Sequence, residues 1–374
     1  MKPTDYFDQF CERYEPYKGG AWCYEDGCVY RGLTLLHEAT GESRWLRHLA
    51  RLIEKQVSPD GSLEGYDPRE YNIDNILPGR TLLFLDAQTQ DPRYMAAARR
   101  LIGQLDQHPR IHSGNYWHKK RYPRQVWLDG LYMALPFQIE YALATGETPR
   151  IADALRQFAT ALDLTATDGG LYVHGYDESR EQVWSDATTG KSAAVWARAV
   201  GWLAMALVDV AALLPDDQAT LALQARTRDI LLAVVERQRP SGLWQQVIDQ
   251  PDLAGNYEES SASAMFAYAL LRAARLSLVG EEDAGKLHAS GAKALETLTR
   301  TRLAEDDGIV KFTGICQVAG LGALSGPYRD GSPSYYLTEA VVADDAKGVG
   351  PLMMAVAEWQ LAGSAGALRV AATA

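Results

Sequence analysis

The stretch "ATGETPR", residues 144–150, joins two segments of opposite character. Before it runs "LDGLYMALPFQIEYAL", which is almost wholly apolar. After it comes "IADALRQFATALDL", which is more charged. Gly146 stops a helix and Pro149 suits the first turn of the next. The same join recurs as "ATGESRW" (39–45) and "TQDPRY" (89–94). Short connections with Gly or Asp-Pro stop signals are the mark of antiparallel helix pairs. "AVWARAVGWLAMALVDVAALL" and "SASAMFAYALLRAARLSLVG" are apolar nearly all round and read as buried helices.

A second recurrence follows the charged helices: "PDGSLEGY" (59–66), "TDGGLYVHGY" (167–176), "PSGLWQQV" (240–247) and "DDGIVKFT" (306–313). Each is a Gly-centred turn leading into a short extended piece. The repeating unit is an apolar helix, a short turn, an amphipathic helix and a long loop. About six units fit, and a recurrence of this kind takes precedence over other fold arguments. The expected fold is all-α, an (α/α)6 barrel or six-hairpin toroid, with short β pieces in the long loops. Residues 1–374 are expected to form a single catalytic domain. A two-layer solenoid is the competing arrangement. In a ring, the long loops precede the inner helices, so a site belongs at the inner-helix starts.

The 374 residues include 47% hydrophobic and 23% charged, ordinary for a soluble globular protein, with net charge −11. Such a surface repels nucleic acid and anionic membranes. The N-terminus has no apolar run suited to a secretory signal, and no window is long enough for a membrane span. A cytoplasmic location is expected. Cys11, Cys23, Cys28 and Cys316 read as free, mostly buried thiols rather than a zinc site or disulfides.

The inner-helix starts and the loops before them carry Asp74, Asp129, Trp196, Arg198, Trp202, Glu258, Glu259, Trp22, Tyr24, His118, Lys119 and His174, with further Trp and Tyr residues. Aromatic faces beside carboxylates, His and Arg suit sugars: the rings cover C–H faces while charged groups bond hydroxyls and a uronate. Taken singly, Asp74 reads as a helix N-cap, His174 as a turn residue, the tryptophans as core, and Arg198 as a partner for a neighbouring carboxylate. Asp129 stands apart. It sits within "VWLDGLYM", a run too apolar for a solvated face. Desolvation there raises a carboxyl pKa and suits a general acid.

Three long motifs, "HKKRYPRQVWLDGLYMALPF" (118–137), "WSDATTGKSAAVWARAVGWLAMALVDV" (184–210) and "GICQVAGLGALSGPYRDGSPSYYLTEAVVADDAKGVGP" (314–351), closely resemble glycoside hydrolase family 105. These are the unsaturated rhamnogalacturonyl hydrolases, related to the family 88 unsaturated glucuronyl hydrolases. The resemblance runs from about Trp22 to Trp359. It implies an (α/α)6 barrel and an unusual hydrolysis that hydrates the C4=C5 bond of a 4,5-unsaturated uronic acid, unlike attack at the anomeric carbon. By the resemblance, Asp129 is the acid/base residue and Asp74 the second catalytic carboxylate. Trp22, Tyr24, His118, Lys119, Trp127, His174, Trp196, Arg198 and Trp202 are expected to bind substrate. No cofactor or metal is implied. Val126, Pro333, Ser334 and Ala340 depart from the family pattern and bear on the aglycone rather than the chemistry.

The expected partner is a small unsaturated oligosaccharide from pectin breakdown, acted on by a monomer or homodimer. One alternative is the same chemistry on unsaturated glucuronyl ends from ulvan, arabinogalactan or glycosaminoglycan fragments. Another is a non-catalytic carbohydrate-binding toroid, against which Asp129, Asp74, His174 and Arg198 stand together. A sugar epimerase would use a pair of histidines, and no matched pair occurs at two inner-helix starts.

Overall fold

The computed structural model describes residues 2–214, 218–323 and 327–372. Among them are thirteen α-helices and three two-stranded ribbons. In chain order they are α1 (Pro3–Arg13), α2 (Tyr24–Thr40), α3 (Ser43–Ile53), α4 (Gly79–Thr89), α5 (Pro92–Gln107), β1 (Gln125–Trp127), α6 (Leu128–Thr145), α7 (Pro149–Thr165), β2 (Gly175–Asp177), α8 (Ala197–Leu213), α9 (Gln218–Glu236), α10 (Ser260–Arg275) and α11 (Glu281–Thr301). After them come β3 (Leu303–Asp306), β4 (Ile309–Phe312), β5 (Ile315–Cys316), α12 (Pro333–Tyr336), β6 (Val341–Val342) and α13 (Ala346–Ala372).

The short joins close as their residues dictate. Gly41, Gln90 and Gly146 take left-handed φ values of 68°, 57° and 80° just past α2, α4 and α6. Asp91 accepts the Arg93 amide to cap α5, and Pro92 and Pro149 stand in the first turns of α5 and α7. The apolar helices α2, α4, α6, α8 and α10 pack side by side in that order. Next α13 packs on α10 and returns onto α2, which closes the ring. The amphipathic helices α3, α5, α7, α9 and α11 lie outside. The expected toroid is therefore what the chain forms, rather than an open solenoid. One feature differs from the regular repeat: the sixth inner helix is α13, and an additional outer helix, α1, comes from the opposite end of the chain. Tyr6, Phe7, Phe10 and Cys11 form its buried stripe, and it packs against α3.

A buried ion network ties the inner helices together. Arg80 lies 2.6 Å from both Asp209 and Glu140, and Arg272 lies 3.2 Å from Asp209 and 2.6 Å from Glu358. Glu140, Asp209 and Arg272 lie past the midpoints of α6, α8 and α10, and Arg80 reaches Glu140 and Asp209 from the first turn of α4. Burial raises the cost of the Asp209 charge, yet the guanidiniums of Arg80 and Arg272 hold its carboxyl down to about 2. All four cysteines are free and buried.

Candidate active site

Asp129 and His174 are brought together by a three-residue ladder. β1 runs straight into α6, and β2 begins immediately after His174. The antiparallel pairing sets Trp127 opposite Gly175. The Leu128 amide also donates to the His174 carbonyl at 3.0 Å. Gly175 is required for this approach: a Cβ there would stand 2.7 Å from Leu321 Cδ1 and 3.0 Å from Trp127 Cδ1. Asp129 then lies in the first turn of α6, half-buried, with Oδ2 3.1 Å from His174 Nε2. The ring nitrogen and the carboxylate face each other out of line for a hydrogen bond, and neither atom has another partner.

His174 is fully buried, and its Nδ1 lies 2.7 Å from the Tyr336 hydroxyl. Burial, together with Tyr335 and Asp129 nearby, pushes the Tyr336 phenol well above its ordinary range. The phenol therefore keeps its proton and can donate it to Nδ1. A neutral imidazole so bonded carries its own hydrogen on Nε2, the nitrogen facing Asp129. The indoles of Trp127 and Trp196 flank His174 at centroid distances of 5.2 and 4.8 Å. Trp196 also stacks on Tyr336 at 5.6 Å, and its Nε1 donates to Gln246.

Asp74 arrives on a 3-10 turn, Ile73–Ile76, ahead of α4. The N-cap of that turn is Asn72, whose side chain accepts the Asp74 amide, so the simple capping role belongs to Asn72. The Ile73 amide donates to the His118 carbonyl, stitching this turn to the loop before β1. Lys119 Nζ lies 2.5 Å from Asp74 Oδ2, and His118 Nε2 lies 3.8 Å from Oδ1. Burial opposes the Asp74 charge, but the Lys119 ammonium outweighs it and holds the carboxyl below its usual range. The His118 ring stacks on Trp127 at 4.1 Å, and burial drives its pKa down to about 3, against the pull of Asp74 and Asp129. Asp74, His118, Asp129 and His174 thus share one electrostatic neighbourhood.

The remaining expected residues border this cluster at different depths. Trp22 is buried, and its Nε1 donates to the Asn75 carbonyl beside Asp74. Tyr24, the first residue of α2, lies in electrostatic reach of both Asp74 and Arg198. Arg198 is buried and already engaged: Nε donates to Ser261 at 2.7 Å, and the guanidinium meets Glu259 at 3.4 Å and the Cys316 carbonyl. The simple reading of Arg198, a partner for a carboxylate, describes its contacts here. Trp202 sits a turn and more further into α8, stacked on Tyr132 at 5.2 Å and 2% exposed. Sequence reasoning passed over Tyr336 and Gln246. The tyrosine pair stood inside the third motif, but no spacing tied it to His174.

The arrangement leaves four polar atoms inward and unpartnered: Asp74 Oδ1, His118 Nδ1, Asp129 Oδ2 and His174 Nε2. Buried polar atoms are nearly always satisfied, so four orphans in one aromatic-walled spot are a place for a polar ligand. An ionised carboxylate, Asp74, stands there with a second carboxyl, Asp129, facing an Nε2–H. That pairing can move a proton on and off a substrate atom.

Comparison with known proteins agrees with this picture. The sequence model of Glycosyl Hydrolase Family 88 matches residues 4–361. Protein Atu3128 of Agrobacterium fabrum is 63% identical over 227 residues, which are 60% of this chain and 97% of that protein. Unsaturated rhamnogalacturonyl hydrolase YesR of Bacillus subtilis is 29% identical over 264 residues, 68% of this chain and 72% of YesR. A family 105 glycoside hydrolase structure from C. acetobutylicum superposes with a TM-score of 0.86 at 35% identity, covering 91% of this chain and 94% of that one.

Proposed function

The chain belongs to Glycosyl Hydrolase Family 88, on the family 105 side of that group, and from that premise we propose that it removes the 4,5-unsaturated uronic acid from the non-reducing end of lyase-generated oligosaccharides. The observation that carries this reading is the convergence of the four unpartnered atoms of Asp74, His118, Asp129 and His174 between aromatic rings.

In the proposed reaction, Asp129 gives a proton to C4 of the enol ether. Positive charge develops at C5 and is shared with the ring oxygen. The Asp129 carboxylate takes a proton from a water as that water's oxygen bonds to C5. The C5 hemiketal opens with cleavage of the C5–O bond, leaving a ketone at C5 and a hemiacetal at C1. Collapse of the hemiacetal releases the aglycone as an alcohol. One water is consumed, and Asp129 ends as it began. His174 Nε2, 3.1 Å away, acts on the Asp129 carboxyl through space, and Trp127 and Trp196 cover the sugar face. Asp74, held ionised by Lys119, and His118 bond substrate hydroxyls. Trp22, Tyr24 and Arg198 frame the pocket behind them, while Trp202 packs on Tyr132 in the barrel core.

The aglycone is proposed to be rhamnose, from unsaturated galacturonyl-rhamnose of rhamnogalacturonan, on the strength of the likeness to YesR. Residues 1–374 act as one catalytic barrel in the cytoplasm, as a monomer or homodimer, on short pectin fragments. A substrate panel tests this, following loss of the ultraviolet absorbance of the conjugated enol ether. The reading expects unsaturated galacturonyl-rhamnose to be turned over faster than unsaturated glucuronyl disaccharides. The reverse order would move the assignment to glucuronyl fragments.

A further inference from the structure

Beside Asp74 the loop before β1 makes a tight turn. The Tyr122 amide donates to the Lys119 carbonyl at 2.9 Å, and the two residues pair across it. Lys120 and Arg121 therefore stand at its tip, both exposed. A cleft of about 310 Å³ opens at this tip, walled by Glu70, Asn72, Lys119, Lys120 and Arg121. The cleft borders the site at Lys119, which lines it and whose ammonium holds Asp74. It also abuts the aromatic wall, because Arg121 lies over the Tyr122 ring at 5.3 Å and Tyr122 stacks on Trp127 at 4.9 Å.

The charges here are out of keeping with the rest of the chain. Acidic residues outnumber basic ones by 48 to 37, so cations readily find carboxylates. Yet among the described residues neither Lys120 nor Arg121 has a carboxylate within ion-pair distance. Lys120 donates weakly to the Arg69 carbonyl at 3.4 Å and lies over Tyr71. Both side chains reach over tyrosine faces, at 5.9 Å for Lys120 on Tyr71 and 5.3 Å for Arg121 on Tyr122. Tyr71 itself holds a left-handed φ of 43°, a conformation rarely taken by an aromatic residue, and this turns the loop toward Lys120.

We propose that this cleft is a subsite for an anionic group on the aglycone, a uronate carboxylate or a sulfate ester, held by Lys120 and Arg121; the proposal rests on the unsaturated-uronyl reading of the adjoining site. A sugar leaving the Asp129 centre past Lys119 enters the cleft, where an anion meets two cations that hold no carboxylate in an ion pair, with Glu70 as the one acidic residue of the cleft wall. The enzyme then favours fragments whose sugars beyond the scissile bond are charged, and the supplying reaction is a lyase that leaves acidic products longer than a disaccharide.

The test compares wild type with a Lys120→Gln/Arg121→Gln double variant on three substrates: unsaturated galacturonyl-rhamnose, the corresponding unsaturated tetrasaccharide bearing a second uronate, and a sulfated unsaturated disaccharide. Both changes lie at an exposed turn tip, and an unchanged melting temperature checks the fold. The proposal expects KM to rise about fivefold on at least one substrate with an anionic aglycone, the size of two screened surface contacts, with kcat unchanged and no change on the disaccharide whose aglycone is uncharged. Which anionic substrate responds tells carboxylate from sulfate. Equal losses on all three substrates, or no loss on any, overturn it. Calorimetric binding of a saturated acidic tetrasaccharide separates this idea from the uronyl-hydrolase reading. If wild type hydrolyses nothing, that reading fails, while weaker binding by the variant still supports the subsite and equal binding still overturns it.

Discussion

His174 has no contact with solvent, and its orientation is set from one side by Tyr336 and from the other by what it offers Asp129. The phenol keeps its proton and can donate to Nδ1, and an imidazole that accepts there presents a hydrogen at Nε2. Tyr336→Phe removes that constraint and leaves Nδ1 buried without a partner. We expect kcat to fall about tenfold, the value of one buried hydrogen bond, with KM nearly unchanged. Steady-state kinetics with the enol-ether absorbance would show it, and an unaltered kcat would mean that the phenol merely fills space. Asp129 was legible in the sequence because an acid in "VWLDGLYM" has no solvated face to occupy. Tyr336 was not, because its partner lies 162 positions away and nothing local marks the pairing. Arg198 was legible as a buried cation, but its hold on Ser261, Glu259 and the Cys316 carbonyl required the fold.

At the scale of elements, the alternation of inner and outer helices was readable because its signals are local: αL caps at Gly41 and Gly146, the capped Asp91-Pro92 start, and long apolar runs. The ladder between β1 and β2 was not readable, being only three residues long and joining segments on either side of a helix pair. Nor was the ion network that crosslinks α4, α6, α8, α10 and α13, since each member looks like an ordinary charge on an apolar helix. Asp209 is its hub, with Arg80, Arg272 and the Tyr268 hydroxyl around one buried carboxylate. Asp209→Ala takes one of two carboxylate partners from each of Arg80 and Arg272 and the acceptor from the buried Tyr268 hydroxyl, and we expect a loss of about 3 kcal/mol in denaturant unfolding. A loss under about 1 kcal/mol would show that water or rearranged partners replace it.

At the scale of the molecule, the ring is closed by a helix from near the C-terminus packing on α2, while α1 at the N-terminus takes an outer position. Such long-range closure leaves no trace in any single window of sequence. Closure also buries imidazoles. Burial holds His118 to about 3 and His108 to about 4, whereas an unfolded chain protonates both near its ordinary value. Between those limits the unfolded state binds more protons, so stability falls as pH falls from about 6.5 toward about 4. The lowered carboxyls of Asp74 and Asp209 add to the loss further into acid, as the pH drops through their folded values. Melting temperature is therefore expected to drop on acidification from neutrality, and His118→Asn to flatten that slope. A melting temperature constant from pH 7 to about pH 4 would contradict it. What the closed ring accomplishes is to gather the inner-helix starts around one carboxyl, and the central claim is that Asp129 protonates a carbon of the substrate double bond. The most direct measurement is turnover by Asp129→Asn on an unsaturated galacturonyl disaccharide, read by loss of the enol-ether absorbance, with melting temperature recorded alongside. The account predicts a fall of at least about a hundredfold in kcat with the fold intact; a folded variant that turns over at the wild-type rate would contradict it.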